Sequence, residues 1–101
     1  MKQYDKALRW AELRDAASYH VNRQGIPLVI DIEYAKQFSV TDINVLEKII
    51  NPEINEANIL VEISYYHKEY GTVKKIRQEQ LWWLNQEAGV WLIESGFPEF
   101  K

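Results

Sequence analysis

Gln80-Leu-Trp-Trp-Leu-Asn-Gln-Glu-Ala-Gly-Val-Trp-Leu-Ile-Glu-Ser-Gly-Phe-Pro98 sets two short aromatic-rich runs on either side of a polar turn ending in glycine. Such runs read as a closing β-hairpin. Large aromatic and β-branched residues suit a pleated, half-buried surface, and Asn and Gly suit the turn. Successive strand side chains alternate, so Trp82 and Trp83 point to opposite faces. Trp82 belongs with Ile76 and Leu84 on the face that packs. Val73, Lys75, Arg77 and Glu79 take the other face, with Trp83 outward.

Upstream of that hairpin the same logic repeats. Residues 57–69 alternate cleanly, with Ala57, Ile59, Val61, Ile63 and Tyr65 on one face and Asn58, Glu62, Ser64 and Lys68 on the other. Tyr70-Gly71 turns the chain into a strand over 72–84. After the turn Asn85–Gly89, a last strand spans 90–95. Residues 39–50 alternate imperfectly: Thr41, Ile43, Val45 and Ile49 form one set, and Leu46 breaks it, which predicts a β-bulge near Leu46-Glu47. Pro52 lies in the turn that follows, since it has no N–H to give a ladder. Residues 26–38 read equally well as extended chain or helix. Residues 3–20 repeat at a helical period, with Tyr4, Leu8, Ala11 and Asp15 on one side and Ala7, Trp10 and Ala17 widening the stripe. This helix is expected to stop near Val21-Asn22, before Gly25 and Pro27.

Four consecutive strands with short turns form an antiparallel meander, and the only long helix must cover one face. The expectation is a single α+β domain over residues 1–101. In it an N-terminal helix, rich in indole contacts through Trp10 and Trp82, packs on a curved four-stranded antiparallel sheet.

Composition narrows the function classes. The chain has 101 residues, 12 basic and 15 acidic side chains and a net charge of −3, and lacks cysteine. A disulfide framework and a thiolate metal site are excluded. The acidic balance argues against nucleic acid as a partner. No apolar run reaches the ~20 residues of a membrane-spanning helix.

Three places carry a resemblance. Tyr4-Asp-Lys-Ala-Leu-Arg-Trp10 with Ala16-Ala17, Phe38-Ser-Val-Thr-Asp42, and Arg77-Gln-Glu-Gln-Leu-Trp82 with Trp91-Leu-Ile-Glu-Ser-Gly-Phe-Pro98 resemble, in order and spacing, the cystatin-like, nuclear-transport-factor-2-like superfamily. More narrowly they resemble its uncharacterised small proteobacterial lipoproteins. The resemblance implies a helix cradled by a bent sheet, truncated relative to the catalytic members, and brings no activity. Members of that group carry a lipid-anchored cysteine after a signal peptide. A periplasmic, membrane-tethered location is therefore expected if the native protein has such a leader, and a cytoplasmic one otherwise.

Candidate residues fall into three sets. Trp10, Tyr65, Gln78, Gln80 and Trp82 are the candidates for a small-ligand pocket between helix and sheet; Gln78 and Gln80 share the inner face with Trp82 and need polar partners there. Tyr66, Val73 and Trp83 are the candidates for an outer-face interface, since tryptophan is enriched where partners meet. His67 is the candidate acid/base group, beside Asp42 or Glu79. His20 and His67 have no metal-ligand spacing, and no cofactor or metal is expected. Tyr65-Tyr66-His67-Lys68-Glu69-Tyr70 carries too little positive charge for a nucleic-acid platform. No Gly-x-Ser-x-Gly or glycine-rich phosphate loop is present. The leading expectation is a non-enzymatic binding or assembly module, and since sheets of the superfamily it resembles often pair into homodimers, the resemblance implies a homodimer formed through the sheet. A ligand carrier and a small hydrolase or isomerase using His67 are the alternatives.

Overall fold

The computed structural model describes residues 1–101. Three short helices, α1 (Lys2–Arg9), α2 (Leu13–Ser18) and α3 (Ile32–Ala35), precede four strands, β1 (Phe38–Asn51), β2 (Glu56–His67), β3 (Val73–Asn85) and β4 (Val90–Ile93). The strands form one antiparallel sheet in the order β1-β2-β3-β4. The α+β meander expected from strand spacing is present, and no helix is long and apolar enough to cross a membrane.

The single helix expected over 3–20 is two helices. Leu13 and Ala16 are buried, yet Leu13 follows Leu8 by five residues, which in one continuous helix would swing it about 140° round the axis from Leu8. The chain restores the phase by breaking at Trp10–Glu12. Ala11 adopts φ 57°, Glu12 N–H donates to Ala7 C=O at 2.9 Å and Ala11 N–H to Leu8 C=O at 3.4 Å. This is a Schellman close with alanine where glycine is usual. The break turns Trp10 outward, 68 % exposed.

Residues 26–38, open between helix and extended chain on sequence, contain both. Val21 bridges Pro27, an irregular stretch follows, and α3 is capped by Asp31, whose carboxylate accepts from Tyr34 N–H at 3.0 Å.

In β1 the register slips between Val45 and Glu47, where the bulge was expected, and also between Val40 and Asp42. The slip corrects one face assignment. Ile43 and Val45 lie opposite Ile63 and Val61, whereas Ile49 lies opposite Asn58 and so faces the other way. Leu46 displaces the alternation by one residue.

The core lies on one side of the sheet, among Tyr4, Ala7, Leu8, Ala16, Phe38, Val40, Ile59, Val61, Ile63, Tyr65, Trp82, Ile93 and Phe100. Tyr4 and Trp82 meet edge to face at 5.6 Å between ring centroids. A third element, unforeseen on sequence, completes this side: the segment after β4. Phe100 stacks on Phe38 at 5.5 Å and leans on Tyr65 at 5.0 Å, and Phe97 meets His20 at 5.3 Å.

Candidate functional site

The proposed ligand set does not converge on a cavity. Trp10 lies on the surface at the end of α1, apart from the others. Tyr65, Gln80 and Trp82 are buried, but packing and hydrogen bonds occupy them. Trp82 Nε1 donates to Gln80 Oε1 at 3.0 Å, and Lys101 N–H donates to the Tyr65 hydroxyl at 3.2 Å. Gln78 Nε2 donates to Gly96 C=O at 2.9 Å. Gln78 Oε1 and Gln80 Nε2 are buried without a protein partner. They form a spare acceptor and a spare donor two residues apart on one strand face.

His67 sits at the end of β2, against Phe38 at 5.1 Å and Tyr70 at 4.7 Å. Its Nδ1 accepts from Glu69 N–H at 3.1 Å, so Nε2 is the protonated nitrogen facing Gln37 Oε1 at 3.2 Å. Neither partner is a carboxylate. Asp42 lies opposite Ser64 and Glu79 opposite Leu60, further along the sheet. No group of three or more His, Asp or Glu side chains is placed to hold a metal ion.

The polar network that sequence reasoning missed is built on His20. Its ring is 1 % exposed. Nδ1 lies 3.0 Å from Ser95 C=O, which can only accept, so Nδ1 carries the proton. Nε2 then accepts from the Tyr4 hydroxyl at 2.8 Å. Burial pushes the His20 pKa below its ordinary value, against the Ser95 carbonyl, which favours the charged form. Burial drives the Tyr4 phenol well above its ordinary range, with Asp5 adding to it. The pair is neutral and sealed from substrate: a structural clamp joining α1, β4 and the C-terminal segment. Only the apolar setting of Tyr4 hinted at it, since nothing in the spacing couples residues 4, 20 and 95.

The proposed interface residues lie on the face of the sheet opposite the helices. Paired residues share a face, so the register fixes successive rows on this open face: Ser39-Tyr66-Val73, Asp42-Ser64-Lys75, Asn44-Glu62-Arg77, Glu47-Leu60-Glu79, Ile49-Asn58-Leu81 and Asn51-Glu56-Trp83. Val73 is 58 % exposed and Tyr66 half-buried. Trp83 is partly covered: its Nε1 donates to Val21 C=O at 2.8 Å. Arg23 beside it pairs with Glu56 and with Glu94, two hydrogen-bonded carboxylates that raise its pKa. The connector after α2 therefore closes the Trp83 end, and the rest of the face is bare.

Two further features mark this region. A shallow depression of about 230 Å³ lies among Glu47, Ile49, Asn58, Ile59, Leu60 and Glu79. β1 is an edge strand whose distal half exposes Val45, Leu46, Ile49 and Ile50. Two bulges, and the charged Glu47-Lys48 that follows the second, interrupt that edge, as natural sheets do to discourage open-ended pairing. The chain matches no known protein family, curated protein or solved structure.

Proposed function

We propose that the protein is a non-enzymatic assembly module that associates with a second copy through the open face of its sheet. One observation carries the reading. Most of the helix side is covered by the chain's own α1, α2 and C-terminal segment, with Val45 and Ile50 of β1 left exposed there, while β1–β3 present their other side uncovered except at the Trp83 end. An uncovered three-strand face bearing Ile49, Leu60, Tyr66, Val73 and Leu81 supports a partner surface more readily than a solvated one. The helical layer on an antiparallel meander also supports the cystatin-like kinship expected from the sequence.

The alternatives draw less from the geometry. A carrier needs an enclosed space between the layers, and Tyr4, Tyr65, Trp82 and Phe100 occupy it. An acid/base role for His67 needs a carboxylate at its ring, and the ring's partners are an amide and a backbone N–H.

The test is sedimentation over a concentration series from micromolar to about millimolar, the range in which modest protein pairs assemble. The expected result is a concentration-dependent dimer weakened by Val73→Asp. A monomer throughout the series overturns the reading.

A further inference from the structure

We propose that two copies pair open face to open face about a two-fold axis lying across the strands, between the Glu62 row and the Leu60 row, so that Arg77 of each copy sits over Glu79 of the other. This rests on the sheet-face association proposed above and supplies its register.

The argument is one of charge. In the row Glu47-Leu60-Glu79 two carboxylates flank one leucine, and neither has an ion-pair partner in its own chain. Immediately alongside, Lys75 and Arg77 share the single carboxylate of Glu62 at 3.9 and 3.5 Å, with 65 % and 69 % of their side chains still exposed. One row therefore carries two unpaired carboxylates, and the adjoining rows, each neutral in sum because Glu62 offsets Arg77 and Asp42 offsets Lys75, hold the nearest cations.

A homodimer interface must complement itself under the symmetry operation. Two in-plane axes are available to stacked sheets. An axis along the strands lays β1 over β3 and keeps each row over itself, which sets Glu47 against Glu79 of the second copy, acid on acid. An axis across the strands keeps β3 over β3 and exchanges neighbouring rows. It sets Arg77 over Glu79 of the second copy and Asn44 over Glu47 of the second copy, each twice. Like charges opposed across an interface are costly and opposite charges fix register, so the second axis is selected. Sheets stack at about 30° because each is twisted, and alignment is best near the crossing point; the charged rows lie at that point.

Three strands about 4.8 Å apart over the four rows left uncovered in both copies make a rectangle of roughly 400 Å² before side-chain relief. That is below the ~800 Å² per partner of a standard stable interface, so the dimer is a modest, exchanging one.

The experiment is a charge exchange between two full-length variants, Glu79→Arg and Arg77→Glu, each checked for fold by near-UV circular dichroism. Sedimentation is run on the wild type, on each variant and on their equimolar mixture, at low and high salt. Each variant alone is expected to self-associate about tenfold more weakly or worse, because like charges then face each other. The mixture is expected to recover association as heterodimers, since every arginine again meets a glutamate. A wild-type dimer indifferent to both reversals overturns this register and leaves sheet-face association standing. Two weakened variants whose mixture stays monomeric also overturn it. A wild type that never dimerises removes both proposals.

Discussion

The Tyr4 hydroxyl donates to His20 Nε2 at 2.8 Å across 16 residues of sequence, inside a core where Tyr4 is 0 % exposed. The other face of the imidazole contact, Nδ1 to Ser95 C=O, leaves the ring no alternative acceptor role. Tyr4→Phe keeps the ring packing against Trp82 and Tyr19 but leaves Nε2 unpaired in the core. The expected cost is about 1–3 kcal/mol of folding stability, the desolvation of an orphaned acceptor. Urea denaturation at neutral pH measures it.

The same clamp sets a pH dependence. The folded-state pKa of His20 lies below its ordinary value, chiefly through burial. In the window between the folded value and the unfolded value near 6.5, the unfolded chain binds more protons. Stability therefore rises with pH across that window; it is full above about 6.5 and falls on acidification. Asp5 works the other way lower down, because burial raises its pKa and the folded state then holds the extra proton. Denaturant midpoints taken from pH 7.5 downward are expected to drop first below about 6.5. In His20→Gln, whose amide retains a donor and an acceptor, that early drop is expected to vanish. A wild-type profile flat through this range would contradict the assignment.

The two indoles with the strongest sequence signal behave oppositely. Trp82 is 0 % exposed and Trp10 is 68 % exposed. Trp82→Ala is expected to cost about 3–5 kcal/mol, the loss of a buried aromatic plus the cavity it leaves. Trp10→Ala is expected to stay within about 0.5 kcal/mol. Chemical denaturation of both variants reads the difference, which would vanish if the indoles shared one core.

The meander was legible because its signal is local: alternation of period two, turn residues at the right intervals, and a bulge announced by Leu46. Trp10 was not legible, because period 3.6 places it on a broad stripe only while the helix continues. The spacing from Leu8 to Leu13 holds the clue, and a left-handed alanine is a weak sequence signal for a break. The C-terminal cover was missed because Phe97 and Phe100 sit in a stretch with no periodicity, and their partners Phe38, Tyr65 and His20 are fixed only by tertiary packing. The charge rows of the open face needed the register across three strands, which no single strand contains.

Ala11 itself offers a check on the helix break. With φ 57° it holds a conformation disfavoured for any residue bearing a Cβ. Ala11→Gly is expected to stabilise the fold by about 0.5–1 kcal/mol, because relief of that strain outweighs the greater freedom of glycine in the unfolded chain. If α1 and α2 instead formed one helix, the same change would destabilise by about 1 kcal/mol.

Ser95 closes the sheet where β4 gives out. Glu94 N–H still donates to Leu81 C=O at 2.8 Å, but the reciprocal donor, Leu81 N–H, finds the Ser95 side-chain oxygen at 3.1 Å in place of a main-chain carbonyl. The chain can therefore leave the ladder and send Phe97 and Phe100 across the helix side without stranding a backbone donor. Ser95→Ala removes that acceptor while sparing the Ser95 carbonyl that holds His20. The expected penalty is about 1–3 kcal/mol, and amide exchange at Leu81 should quicken more than at Gln80 or Trp82. Ser95→Thr keeps a hydroxyl in place and should recover most of the loss. Equal acceleration along all of β3 would mean the residue acts only through global stability, and the local role assigned to its hydroxyl would fall.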